Sequence, residues 1–187
     1  MSSKLSFSYW LRKKLKSEKK AKIIVLGLDS AGKTTLMKYV NTGVFKDTVP
    51  TIGQNIDTVN FADWNITIVD VAGQKQFRFL WEVHYPGSSA VIFVIDSADI
   101  ERLPEARDIL KIHVFNNPYL EKIPCLIIAN KQDLPESIQA PMLIQLLGLH
   151  LEMKDRTFAV FDCSAINGTG VNEAFTWLVN QLEMKKG

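Results

Sequence analysis

Short apolar runs recur along the chain, and most are separated by stretches in which apolar residues follow helical spacing. Apolar and β-branched runs predict buried strands, whereas the amphipathic stretches predict helices. This alternation favours an α/β domain with a six-stranded, mostly parallel sheet and helices on both faces. The predicted strands are Ala21–Leu26, Ile56–Phe61, Ile66–Val71, Val91–Asp96, Pro124–Ala129 and Thr157–Asp162, and the predicted helices are Thr35–Asn41, Glu101–Phe115, Glu136–Leu147 and Val171–Met184.

Two neighbouring runs, Ile56–Phe61 and Ile66–Val71, are joined by four residues, Ala62–Asn65, and are predicted to form a hairpin. In a sheet with helices on both faces, ligand-binding loops gather where the strands end. The polar residues that follow these runs are therefore the first candidates for a site.

The N-terminal segment is predicted to be a separate unit, an amphipathic basic helix over residues 1–20 that precedes a globular domain over residues 21–187. Phe7, Trp10, Leu11 and Leu15 form one apolar stripe. Residues 1–22 hold eight basic side chains and Glu18, a balance of +7, whereas the remainder holds fourteen basic and nineteen acidic residues, a balance of −5. The positive charge is therefore local to the N-terminus.

Four interpretations of this helix stay open. Residues 5–20 suit an interfacial helix on an anionic membrane, where each basic side chain contributes about 1 kcal/mol. The helix could instead dock on the domain itself, bind a protein partner, or form a disordered basic arm. Ser2 stands where the myristoylation pattern needs glycine, so membrane binding would depend on side chains alone.

The amino-acid composition limits the class of protein and the compartment in which it is expected. The 187 residues are 47% hydrophobic, which is ordinary for a globular domain, and no apolar run approaches a membrane span. No signal peptide is evident, and Cys125 and Cys163 lie in apolar runs as small buried thiols of a reducing compartment. A cytoplasmic protein without nucleic-acid partners is expected.

Residues Gly27–Thr34 read G-L-D-S-A-G-K-T, the phosphate-binding P-loop pattern, between a predicted strand and a predicted helix. Backbone N–H groups of such a loop cradle phosphates, helped by the positive end of the following helix. The lysine reaches the outer phosphates, and the threonine hydroxyl can hold Mg²⁺. The candidate nucleotide-binding residues here are Asp29, Ser30, Ala31, Gly32, Lys33, Thr34 and Thr35.

Three further motifs follow strands. Asp70, before Val71-Ala72-Gly73-Gln74, is placed to organise a Mg²⁺ shell. Asn130-Lys131-Gln132-Asp133 selects guanine, because a carboxylate at Asp133 accepts from two donors of that base which adenine lacks. Asn130 would brace the base, the Lys131 stem would cover the ring, and the amide of Ala165, after Ser164, would donate to the guanine carbonyl.

These motifs, in this order, resemble the Ras-like small GTPases. G-L-D-S-A-G-K-T-T, P-T-I-G and N-K-Q-D-L-P, with the short hairpin, resemble the Arf family over about Ala21–Leu182. The resemblance implies a Ras-like P-loop GTPase fold with GTP or GDP and Mg²⁺ as ligands. It also implies an exchange factor, an activating protein and effectors as partners.

By the same resemblance, Thr34 and Thr51 would ligate Mg²⁺, Thr51 only with GTP bound, and Asp70 would act through a water. The Gly73 amide would sense the γ-phosphate, and Gln74 would orient the attacking water. Hydrolysis would be slow without an activating protein, since no arginine is evidently placed to act in cis, with Arg78 left open.

The chain also departs from the family. Ala72 replaces the first glycine of D-V-G-G-Q, and Gln54 and Val69 replace aromatic residues of the surface shown to effectors. Ser2 gives the N-terminus a Sar-like character. The chain is identified as a divergent Arf-like member.

The family's switch implies that GTP moves the hairpin between Thr51 and Asp70 into a new register. This movement would free the N-terminal helix for lipid, so the protein would cycle between cytoplasm and membrane in trafficking. Two other hypotheses stay open: a soluble GTP-regulated interaction module whose first helix binds a protein, and a GTP-binding protein that barely hydrolyses.

Overall fold

The computed structural model describes residues 19–43, 48, 51, 53–61, 63–149 and 156–185. The predicted N-terminal helix lies outside these residues, except for its last two positions. Lys19 and Lys20 do not continue a helix but begin the first strand. They join a sheet because they pair with Trp64 and Asn65 of a neighbouring strand.

The described strands form a six-stranded sheet in the order β2-β3-β1-β4-β5-β6, in which β2 pairs antiparallel with β3 and the other neighbouring strands pair parallel. The predicted mostly parallel sheet is confirmed. Two residues rather than four separate β2 from β3, so the hairpin is tighter than predicted. The strands are β1 (Lys19–Leu26), β2 (Gln54–Phe61), β3 (Trp64–Val71), β4 (Ala90–Asp96), β5 (Cys125–Asn130) and β6 (Phe158–Asp162).

Helices cover both faces of this sheet. In the described part of the chain they are α1 (Lys33–Thr42), α2 (Trp81–His84), α3 (Leu103–Leu110), α4 (Ala140–Leu146) and α5 (Val171–Met184). A 3₁₀ segment, Lys75–Leu80, leads into α2. Across the described ranges, we find no helix with the length and apolar character needed to cross a membrane.

The predicted helix Thr35–Asn41 extends to Lys33–Thr42, and two other predicted helices differ more from the observed ones. Glu101–Phe115 divides into a 3₁₀ turn (Ile100–Arg102), α3 and a π-helical turn (Lys111–Phe115). Glu136–Leu147 shortens to α4 because Gln139 is extended, with ψ 161°, and proline follows within the first turn. The predicted bounds of the last helix, Val171–Met184, are those observed.

The alternation of side chains along β1 divides the core into two layers. Ile23 and Val25 pack in the layer that includes α1 and α5, and Ile24 and Leu26 pack in the layer that includes α3 and α4. A parallel strand covered on both faces needs apolar residues at every position, which is why these strands are visible as continuous runs. Both cysteines are buried as free thiols, as predicted.

A substitution at Leu178 tests the packing of the core layer under α5, because the Leu178 side chain is fully buried. We expect Leu178→Ala to lower the free energy of unfolding by about 2 to 5 kcal/mol, through lost burial and a cavity. Leu146→Ala, at a position 49% exposed, is the matched control and should cost about 1 kcal/mol or less. Urea unfolding measures both, and equal losses would contradict this assignment of the core.

Candidate functional site

The loop between β1 and α1 has a conformation that only certain residues adopt. Gly27 and Gly32 have φ of 139° and 90°. A Cβ at Gly27 would lie 2.2 Å from the Val94 carbonyl oxygen, and one at Gly32 would lie 2.3 Å from Asn130 Nδ2. Ser30 also has positive φ, 60°, although it is not glycine. The P-loop pattern is therefore required by the backbone path and by close packing.

Lys33 is a buried cation at the centre of this loop. Its side chain is 6% exposed, and Nζ donates to the carbonyl oxygens of Gly27 at 3.0 Å and Leu28 at 2.7 Å. Burial lowers the pKa of Lys33 to about 8, partly offset by the negative charges of Asp70 and Asp29. A phosphate in the loop would supply a counter-charge and favour the ammonium form.

Oxygen atoms from three segments meet beside Lys33. Thr34 Oγ1 donates to Asp70 Oδ2 at 2.6 Å and lies 2.8 Å from Thr51 Oγ1. The second carboxylate oxygen, Asp70 Oδ1, is buried and has no hydrogen-bond partner among the described residues. Burial raises the pKa of Asp70 from its ordinary value. Hydroxyl and carboxylate oxygens with unsatisfied capacity fit a hard cation such as Mg²⁺.

Gly73 packs directly against the P-loop. A Cβ there would lie 2.4 Å from the Asp29 amide nitrogen and 2.5 Å from the Gly27 carbonyl oxygen. Its own carbonyl accepts from Arg78 Nε at 2.9 Å, and Arg78 also pairs with Glu105 at 2.9 Å. Arg78, which the sequence left open as a cis arginine, is therefore held by the Gly73 carbonyl and by Glu105.

The residues that depart from the family pattern fit the structure without strain. Ala72 has a negative φ, and its carbonyl accepts from the buried Trp81 indole at 2.9 Å. Val69 is only 2% exposed and packs in the core, so this position does not belong to the open effector surface that the resemblance implied. Gln54 is exposed at the start of the edge strand β2.

The P-loop and residues from several other segments surround one cavity of about 350 Å³. The cavity brings together three segments that are separate along the chain: the P-loop, Thr51, and the pair Gly73 and Gln74. The P-loop, threonine hydroxyl groups and a glutamine thus share one space. The lining residues are Asp29, Ser30, Gly32, Lys33, Thr34, Thr35, Thr48, Thr51, Gly73, Gln74 and Lys131.

The candidate base-binding residues form a network behind this cavity. Asn130 Nδ2 donates to the Ala31 carbonyl at 2.8 Å, and Asn130 Oδ1 accepts from the Ala165 amide at 3.0 Å. Ser164 Oγ donates to Asp133 Oδ1 at 2.5 Å. Asn130 therefore joins the P-loop to the loop after β6. The Ala165 amide, which the sequence assigned to the base, contacts Asn130 here.

Lys131 has left-handed backbone geometry, φ 69°, and its ammonium pairs with Asp96 Oδ2 at 2.6 Å. Asp96 ends β4, a strand that carries no candidate in the sequence motifs. Sequence reasoning also missed Arg102, whose guanidinium contacts Asp29 of the P-loop. Motif spacing carries no signal for either residue, because both contacts join segments far apart along the chain.

The fold and the P-loop define a nucleotide-binding protein of the P-loop class, and comparison with known proteins supports this assignment. The profile of the ADP-ribosylation factor family matches residues 7–182. The chain is 38% identical over 168 residues to ADP-ribosylation factor J and to ADP-ribosylation factor K of Dictyostelium discoideum, covering 90% of this chain and 88% of each relative.

Among solved structures, the chain resembles the Arl6 BBS3 small GTPase from Trypanosoma brucei with bound nucleotide analogue GppNp. The TM-score is 0.83 with 32% identity, over 88% of this chain and 98% of that one. The chain belongs to the ADP-ribosylation factor family of small GTPases. It is a GTP-binding switch and a GTP hydrolase, of a kind regulated by exchange factors, activating proteins and effectors.

Gly73 gives a sharp test of the site. We expect Gly73→Ala to weaken binding of a non-hydrolysable GTP analogue about tenfold or more, because the new methyl group meets P-loop backbone at 2.4 Å. Titration with fluorescent nucleotides measures this. The control Gly87→Ala adds a methyl group with nothing within 4 Å; its φ of 74° strains the backbone outside the residues that line the cavity, so this variant controls for a general loss of stability. Gly87→Ala should keep its affinity, and a similar loss in both variants would contradict the packing argument.

Proposed function

We propose that this GTPase couples its nucleotide state to reversible association with an anionic membrane through residues 5–20. The observation that carries the proposal is the position of the β2–β3 hairpin. One end of the hairpin touches the nucleotide cavity, and the other end touches the residue at which the N-terminal segment joins the domain.

At the cavity end, Thr51 precedes β2, and Asp70, near the end of β3, accepts a hydrogen bond from Thr34. At the far end, the carbonyl of Asp63 accepts from the Lys19 amide at 3.3 Å. Lys19 also pairs with Glu183 at 2.5 Å and places its ammonium 5.6 Å from the Trp64 ring centroid. Strands of eight residues span roughly 25 Å, so the hairpin connects two distant places.

Movement of the hairpin along β1 is compatible with the sheet. The present register pairs Lys19 with Trp64 and Val25 with Asp70. Because side chains alternate, a slip by two residues leaves each side chain on its original face, whereas a slip by one would reverse them all. A change at Thr51 and Gly73 can therefore reach Lys19 without disturbing the division of the core. We propose this route from nucleotide to N-terminus.

We propose the following nucleotide roles for the residues around the cavity. The P-loop amides and Lys33 would bind the phosphates, and Asp133, oriented by Ser164, would select guanine. Thr34 and Thr51 would hold Mg²⁺ directly and Asp70 through a water, and the ion would neutralise phosphate charge. Gln74 would orient the attacking water, and the Gly73 amide would contact the γ-phosphate.

Partners would supply what the cavity lacks. Arginine does not occur among the described residues that line it. An arginine from an activating protein would therefore stabilise charge during hydrolysis. Phe79 and Val83, 69% and 70% exposed, lie in the helical stretch that follows Gln74. Such exposed apolar side chains beside a switch segment suit protein partners.

Gln74 tests the hydrolytic role. We expect Gln74→Leu to slow single-turnover phosphate release at least about tenfold, because leucine cannot orient water. Nucleotide affinity should change little. Gln76→Leu, the same exchange at an exposed position two residues away, is the matched control and should hydrolyse GTP at the normal rate. Equal rates in both variants would leave Gln74 without a catalytic role.

Vesicle flotation tests membrane coupling. We expect the full chain with a non-hydrolysable GTP analogue to float with anionic vesicles, and the GDP form to stay in solution. Removal of residues 1–16 should abolish flotation, since it removes the apolar stripe and most of the local charge. Strand β1 begins at Lys19, so the truncated protein should still exchange nucleotide, which is the control for folding.

Other results would change the proposal in defined ways. Flotation of the truncated protein would contradict it. Flotation of the full chain in both nucleotide states would make the segment a permanent basic anchor that the hairpin does not control. Absence of flotation in both states, together with nucleotide-selective capture of a protein, would favour a soluble interaction module whose first helix binds that protein.

A further inference from the structure

An arginine outside the nucleotide motifs contacts the P-loop. Arg102 Nη1 lies 3.4 Å from the Asp29 carbonyl oxygen and 3.5 Å from Asp29 Oδ1. On its other side, Arg102 Nε donates to Asp99 Oδ2 at 2.5 Å, and Asp99 Oδ1 accepts the Arg102 amide at 3.3 Å. The hydrogen bond to Asp99 raises the pKa of Arg102, so the guanidinium stays charged. Asp99, at the start of the same 3₁₀ turn, therefore anchors Arg102, while Nη1 of Arg102 reaches the P-loop.

The contact with the Asp29 carbonyl fixes the direction of a neighbouring amide. The carbonyl of Asp29 and the N–H of Ser30 belong to one planar trans peptide, so they point in opposite directions. Arg102 binds the carbonyl, and the Ser30 N–H therefore points away from Arg102. Ser30 lines the nucleotide cavity. This peptide thus presents a donor to a phosphate rather than an acceptor that would repel it.

Ser30 adopts this conformation at a cost. Its φ of 60° lies in the left-handed region, which costs a residue with a side chain about 1 to 2 kcal/mol. Rotation of the Asp29–Ser30 peptide by half a turn would return φ to the favoured negative range. The same rotation would turn the Asp29 carbonyl toward bound phosphates. The relaxed form of this peptide is therefore the form that binds nucleotide poorly.

We propose that Arg102 is a positioning residue that locks the Asp29–Ser30 peptide in its phosphate-binding orientation and thereby slows nucleotide release. The guanidinium also offsets the Asp29 carboxylate at the edge of a cavity meant for anions. The proposal rests on the nucleotide site proposed above, and it assigns a determinant of residence time to a residue that contacts no phosphate.

Release of a fluorescent GDP analogue from the full chain, with excess Mg²⁺ and unlabelled GDP, tests the lock. We expect Arg102→Ala to accelerate release about tenfold, the effect of losing a hydrogen bond from a charged group. Arg102→Lys keeps the charge but has one donor nitrogen, which cannot reach Asp99 and Asp29 as the guanidinium does, so its release rate should fall between those of the unmodified chain and Arg102→Ala. Arg107→Ala, which removes an exposed arginine paired with Asp108 at 3.2 Å, is the control and should release at the normal rate.

A double variant separates locking from simple support of the fold. Glycine adopts positive φ without penalty. In the Ser30→Gly background, Arg102→Ala should therefore accelerate release by less than about threefold. Equal acceleration in both backgrounds would overturn the proposal, since Arg102 would then act by supporting the 3₁₀ turn and α3. An unchanged release rate for Arg102→Ala would overturn it directly.

The remaining outcomes are also decisive. If Arg102→Ala does not fold, as judged by thermal melting, Arg102→Lys with and without Ser30→Gly gives the same comparison. Acceleration by Arg102→Lys that Ser30→Gly suppresses would support the lock, and acceleration that Ser30→Gly leaves unchanged would overturn it. Failure of the unmodified chain to bind the GDP analogue would instead contradict the nucleotide site, and the lock with it.

Discussion

The arrangement of the site depends on two buried charges of opposite sign, those of Lys33 and Asp70. Lys33 and Asp70 are 6% and 2% exposed; Lys33 begins α1 at the end of the P-loop, and Asp70 lies near the end of strand β3. Burial of a charge is costly unless polar groups replace water. Here carbonyl oxygens of the P-loop solvate the ammonium, and the Thr34 hydroxyl donates to the carboxylate. The solvation is incomplete, since one Asp70 oxygen has no partner among the described residues. A phosphate and a cation would complete it.

This constraint explains why β1 and β3 must be neighbours. Parallel pairing with Val25 opposite Asp70 brings the P-loop and the residues after β3 to the same sheet edge. Gly73 then packs on P-loop backbone, and the Trp81 and Arg78 side chains hold the carbonyls of Ala72 and Gly73. The segment that would sense nucleotide is therefore fixed to the loop that would bind it, so a change in one is transmitted to the other.

The sequence was most informative where each residue carries its own signal. Continuous apolar runs revealed the buried strands, and helical spacing gave the bounds of Val171–Met184. The sequence was less informative where the structure depends on contacts between segments that are distant along the chain. Lys19 and Lys20 are too polar to suggest a strand and become one only beside β3. Likewise, the motifs revealed Lys131 and Asp29, but not Asp96 and Arg102, which bind them across a fold that local pattern does not contain.

The two ends of the hairpin are held by different kinds of interaction. At the cavity, the hydrogen bonds of Asp70 are buried and depend on geometry. At the tip, the Lys19–Glu183 pair has side chains 42% and 47% exposed, so solvent weakens it. The stronger restraint at the tip is the burial of Trp64, which is 2% exposed. A two-residue slip that brings Ile66 opposite Lys19 would carry Trp64 beyond the start of β1, so the burial of Trp64 opposes a register change. The tip is the end nearest the N-terminal segment, so a membrane switch that moves it would have to supply the free energy that releases Trp64.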